Sequence, residues 1–121
     1  MDNTLLKSIQ EGLKNALLRS VVERELVKVP SHIRGIGKTT SLVEFAKFLE
    51  TEHEVEVGVV LTHEIIAERH RNNGFDRVYG VGALSSNRGK WEKNMVVIDE
   101  GVDKAEIESK GFKVIAGWVV V

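Results

Sequence analysis

The chain has 121 residues, 42% of them apolar and 29% charged, which suits one globular domain with a real core and is short for two. Its formal net charge of −1 excludes a global basic field, so any contact with nucleic acid must be a local patch. The absence of cysteine excludes disulfides and thiolate metal sites; no apolar run approaches the ~20 residues of a membrane span and no basic-then-apolar leader opens the chain, so a soluble protein inside a cell, with no membrane partner, is expected.

Residues 4–20 place Leu5, Ile9, Leu13 and Leu17 at four-residue spacing, with Leu6 and Ala16 beside them, and so predict an amphipathic helix. Asp2, Asn3 and Thr4 are its candidate N-caps. The apolar stripe is expected to cover one face of a sheet. Val21 to Val29 leads into a first strand whose ladder Pro30 ends. A glycine-containing loop and the start of a helix follow, Arg34-Gly-Ile-Gly-Lys-Thr-Thr40. Gly35 and Gly37 allow positive φ and a close backbone approach to an anion, and the loop amides and the positive end of the next helix dipole would face that anion. Lys38 is expected on the loop surface. The helix from about Lys38 to Thr51 buries Leu42, Phe45, Ala46 and Leu49 and turns Glu44, Lys47 and Glu50 to water.

Val55 to Leu61 predicts a second strand, nearly continuous in apolar residues as buried parallel strands are. Thr62 is placed to cap a helix over His63 to Arg71, with Asn72-Asn-Gly74 as its left-handed stop. His63-Glu64 opens like a zinc helix, but the second histidine that the motif needs is Ala67, so no metal is assigned there. Arg77 to Val81 predicts a short strand, and residues 82–93 a polar loop. In that loop Arg88, Lys90, Trp91 and Lys93 interleave basic side chains with an aromatic, which suits single-stranded nucleic acid or a neighbour's phosphates; the alternative packs Trp91 back on the body of the protein.

Asn94-Met-Val-Val-Ile-Asp-Glu100 predicts an apolar strand ending in two carboxylates, about sixty residues after the glycine loop. Gly101 breaks it, Asp103-Lys-Ala-Glu106 resembles a capping box, and Gly111 closes a short helix. Phe112 to Val121 is apolar on both faces, as an interior strand is, although Trp118-Val-Val-Val121 also offers a contact surface. The pattern is that of one α/β domain over residues 1–121 with a mainly parallel sheet between helices.

Gly37-Lys38-Thr39-Thr40 resembles the end of a Walker A loop, with His32 where the full G-x-x-x-x-G-K-[ST] pattern has glycine. Asn94 to Glu100 resembles a Walker B strand. Together, in this order, they make residues 25–121 similar to small P-loop nucleoside triphosphatases of the ASCE (RecA- and helicase-like) division, including phage and bacterial DNA-associated ATPases. The resemblance implies a minimal three-layer domain in which the strand after Walker B lies between the P-loop strand and the Walker B strand. It implies ATP and Mg²⁺: Arg34, Gly35, Ile36, Gly37, Lys38, Thr39 and Thr40 around the phosphates, Lys38 on the β- and γ-phosphates, Thr39 and Asp99 on the metal, and Glu100 as the base that polarises water.

Such ATPases commonly use an arginine on the γ-phosphate. No arginine follows Asp99 here, so the resemblance directs attention to Arg34, to Arg88 of a neighbouring copy, or to another protein, and to a homo-oligomer or partner complex with low intrinsic activity. It further implies single-stranded or duplex DNA as partner and the cytoplasm, of the host where phage-encoded, as location. The N-terminal helix would then also have oligomerisation or cover over the adenine open to it. A non-catalytic nucleotide-dependent module and a small-molecule kinase are the alternatives; no lid with clustered arginines is evident for the latter.

Overall fold

The structure, a computed structural model, describes residues 3–29 and 38–120. Helix α1 (Asn3–Glu23) leads to β1 (Val27–Val29); α2 (Lys38–His53), β2 (Gly58–Leu61), α3 (Glu64–Asn72), β3 (Val78–Gly80), the one-turn α4 (Val81–Leu84), β4 (Met95–Ile98), α5 (Lys104–Ser109) and β5 (Lys113–Val120) follow. The five strands form one sheet in the order β1-β5-β4-β2-β3, and every pairing among the described residues is parallel.

Both faces of the sheet are buried, as an all-parallel sheet requires. On one face Val59, Leu61, Val97 and Trp118 pack with Leu17 of α1, Leu42 and Phe45 of α2 and Ala67 of α3. On the other, Val60, Val96 and Ile98 pack with Leu84, Trp91, Ile107 and Phe112. The alternation 59/60/61 and 96/97/98 between the two clusters is the period of two of a strand. The α1 stripe thus covers the sheet as expected through Leu13 and Leu17, the latter fully buried. The final strand, apolar on both faces, lies between β1 and β4. Burying Trp118 there removes it from any contact surface.

Its register contains the detail on which the site depends. Val96 pairs with Val114 but Val97 pairs with Ala116, so Ile115 is an extra residue, a β-bulge. A one-residue insertion reverses the facing of everything after it. Val114 therefore packs on the α5 side, whereas Ala116 and Trp118 turn to α1 and α2. Gly117, at φ +153°, comes so close to the Ile98 carbonyl that a Cβ would stand 2.3 Å from its oxygen.

Several element boundaries differ from those the sequence predicts. Helix α1 continues to Glu23 and ends with Arg24 at φ +60° and the Glu25 amide donating back to the Ser20 carbonyl, a Schellman-type close. The second strand starts at Gly58 and not at Val55, because Glu54 at φ +56° and the Val55 amide, donating to the Leu49 carbonyl, are used to end α2. Thr62 does not cap α3: His63 holds the cap position without a side-chain bond, and the Thr62 hydroxyl donates elsewhere. Asp103 does cap α5, accepting from the Ala105 amide at 3.1 Å. Residues 82–93 are no plain polar loop. Val81 opens α4, a 3-10 turn spans Ser85–Asn87, and Leu84, Asn87 and Trp91 are buried. A single helical turn is too short for its period to be seen in sequence.

Candidate functional site

The C-terminal edge of a parallel sheet is where open α/β folds hold ligands, because strand ends, loops and helix N-termini converge there. Here that edge joins the start of α2 to the end of β4. The Thr39 hydroxyl donates to Asp99 Oδ2 at 2.6 Å. Asp99 Oδ1 accepts the Glu100 amide at 2.9 Å, so both carboxylate oxygens are engaged. Lys38 Nζ stands 3.5 Å from Glu100 Oε1, longer than a tight hydrogen bond and short enough for strong attraction.

Burial sets the electrostatics. Asp99 is buried, and desolvation pushes its carboxyl above the ordinary carboxylate range; Glu100 beside it pushes the same way, against the bonds from Thr39 and the Glu100 amide and the charge of Lys38. Lys38 is buried at 5% exposure, so the expectation of a surface lysine is corrected: as the first residue of α2 it is turned in towards Glu100. Glu100 is about one-third exposed and keeps access to water.

Two supports were not legible in the sequence. The Trp118 indole donates to the Lys38 carbonyl at 3.3 Å, tying β5 to the first turn of α2, and only the bulge at Ile115 turns it that way. The Thr62 hydroxyl, at the end of β2, donates to the Glu100 carbonyl at 3.3 Å and holds the backbone that carries the carboxylate. A polar residue closing the strand beside Asp99-Glu100 was the available signal for Thr62.

The structure thus brings Lys38, Thr39, Asp99 and Glu100 together, with Thr40 next on α2. Arg34, Gly35, Ile36 and Gly37 lie outside the described residues. Arg88 is not with them: its exposed side chain lies over Gly111, just before β5, at the opposite edge of the sheet. Trp91 is not a stacking platform. It is 4% exposed, its indole donates to the Met95 carbonyl at 2.8 Å, and its ring lies parallel to Tyr79 with centroids 6.2 Å apart and packs on Gly58. Of the basic-aromatic cluster, Arg88, Lys90 and Lys93 stay exposed while the aromatic belongs to the core.

No described helix is long and apolar enough to cross a membrane. No model of a known protein family matches the chain, and no curated protein matches it in sequence.

Proposed function

We propose that this chain is a magnesium-dependent P-loop nucleoside triphosphatase, with ATP as its nucleotide. The observation that carries the reading is the Thr39 hydroxyl on the Asp99 carboxylate, with Lys38 facing Glu100 beside it. Two segments about sixty residues apart, each named from sequence for this chemistry, meet at one point of the sheet edge.

The donor set fits magnesium. Hydroxyl and carboxylate oxygens are the hard ligands that Mg²⁺ takes, with few protein ligands and the rest water and phosphate. The buried Asp99 carboxylate, held against its desolvation cost, would be stabilised by a cation bound there. When bound, the ion supplies neutralisation of charge on the phosphate oxygens. Lys38 provides a second positive charge for the β- and γ-phosphates, and the amides that open α2 add theirs. Polyphosphate competes with Glu100 for Lys38, so nucleotide binding releases the carboxylate to orient a water and accept its proton. Such a site gains rate by positioning and electrostatics. An arginine for the γ-phosphate comes from Arg34, from Arg88 of a neighbouring copy, or from another protein. DNA, single-stranded or duplex, is the partner assigned by the resemblance, with Arg88, Lys90 and Lys93 as its contacts.

One observation favours a second reading, a nucleotide-dependent binding module without turnover: Glu100 is already engaged by Lys38. Incubation with labelled ATP and Mg²⁺, followed by separation of products, decides between them. Free phosphate supports the hydrolase, bound but uncleaved ATP the module, and a phosphorylated small acceptor a kinase. Repeating the assay with single-stranded DNA, duplex DNA and RNA tests the polymer.

A further inference from the structure

A nucleotide gripped by its phosphates at the start of α2 must extend its nucleoside in some direction, and the side facing the sheet is filled by Asp99 and Glu100. Successive residues turn about 100° around a helix. With Thr39 aimed at Asp99, the exposed Thr40 faces elsewhere, and Glu44, one turn later, shares its side. That side opens on a cavity of about 180 Å³ between α2 and α1, lined by Thr40, Glu44 and Phe45 on one wall and by Gln10, Glu11 and Lys14 on the other. We propose that this cavity receives the nucleoside half of the nucleotide and selects a base that carries an amino group. The proposal rests on the reading of Lys38 and Thr39 as the phosphate grip.

Size and chemistry both support it. The cavity is smaller than the ~300–1,000 Å³ that encloses a whole drug-sized ligand, so it suits one moiety with the phosphates outside. Phe45, buried to 1% exposure, closes the bottom of the cavity against the core. Above it the lining offers the Glu44 carboxylate and the Gln10 carbonyl as acceptors, the Glu11 carboxylate being paired with Lys14. Lys14, the cation of the lining, is drawn aside, its Nζ 3.3 Å from Glu11 and 4.8 Å from the centre of the Phe48 ring. A wall of acceptors pairs with N–H donors and leaves a base that offers only carbonyl oxygens unpaired. Helix α1 then has a second role beyond covering the sheet, as the far wall of the base site.

The test is equilibrium titration, with Mg²⁺ present, of wild type and the double variant Gln10→Ala/Glu44→Ala, whose two positions are exposed. The probes are ATP, purine riboside triphosphate (ATP without its amino group) and inorganic tripolyphosphate. Wild type is expected to prefer ATP over each of the others by about tenfold or more, the worth of one hydrogen bond to a charged group. The variant is expected to lose most of both preferences. The ratio is the readout, because removing a carboxylate favours any polyphosphate. Equal binding of ATP and tripolyphosphate by wild type, or ratios unchanged in the variant, overturns the base site and leaves the phosphate grip standing. Binding of neither ATP nor tripolyphosphate overturns the phosphate grip itself.

Discussion

The Thr39 hydroxyl donates to the Asp99 carboxylate across 2.6 Å, joining the first turn of α2 to the end of β4. Asp99 is held there at a cost, since burial raises its carboxyl above the ordinary value of 3.8. The folded state therefore binds the proton more tightly than the unfolded chain, and the contribution of Asp99 to stability falls as pH rises from about 3.8 through its raised folded value. At neutral pH, Asp99→Asn removes the buried charge, keeps an oxygen to accept from the Glu100 amide, and turns its NH2 to donate to the Thr39 hydroxyl oxygen. Its Tm at pH 7 should equal that of wild type or exceed it by up to about 4 °C, the worth of ~1 kcal/mol in a domain of this size. Below about pH 4 the advantage should vanish, because the wild-type carboxyl is then protonated in both states. Mg²⁺-dependent nucleotide binding should be lost throughout. Melts at the two pH values check the first part, and a variant much less stable at pH 7 would show the carboxylate to be structural.

Glu100→Gln keeps the shape and removes the charge that draws Lys38 and the basicity that activates water. ATP should still bind with Mg²⁺, while phosphate release falls by about two to four orders of magnitude, the usual worth of a general base. Undiminished turnover in a steady-state phosphate assay would assign the base elsewhere.

Gly117→Ala should be among the most damaging single changes in the chain. Its φ of +153° and the 2.3 Å approach of a Cβ to the Ile98 carbonyl leave only a shift of β5 away from β4, which moves Trp118 off Lys38. A loss of about 3 kcal/mol or more is expected in urea unfolding. Gly58→Ala meets the Trp91 ring at 2.4 Å and should cost less, about 1–3 kcal/mol, because a side chain yields more readily than a strand. Equal and small losses would mean that the bulge does not lock the sheet.

Arg88 lies at the sheet edge opposite Asp99, so any role in catalysis must be exerted on another copy. Turnover per chain should then rise with protein concentration, and Arg88→Ala should depress it with little effect on nucleotide binding. A mixture of Arg88→Ala with Lys38→Ala should recover part of the activity that each lacks alone. Concentration-independent turnover by a monomer would remove Arg88 from the mechanism.

The sequence made the sheet legible because its strands are apolar runs, and it marked the final strand as interior because, Lys113 apart, it is apolar on both faces for most of its length. Lys38, Thr39, Asp99 and Glu100 were legible because glycine-lysine-threonine and paired carboxylates sit where strands end. The bulge at Ile115 was not, since register is a property of two strands and neither contains it alone. Trp118 therefore looked like surface or sheet filler when it in fact donates to Lys38. Trp91 was legible only as two alternatives, an exposed aromatic among basic neighbours or a ring packed back on the body; it takes the second, because Gly58 opposite it provides the space into which the indole packs.

Titration of MgATP into wild type, Lys38→Ala and Thr39→Ala, with far-ultraviolet circular dichroism to confirm that each variant is folded, bears most directly on whether this edge of the sheet holds a nucleotide. Wild type should bind saturably and lose affinity when Mg²⁺ is chelated. Lys38→Ala should bind about 100-fold more weakly, as loss of a charged hydrogen bond predicts, and Thr39→Ala should lose the dependence on Mg²⁺. Wild-type affinity in both folded variants would contradict the assignment of Lys38, Thr39 and Asp99 to a nucleotide.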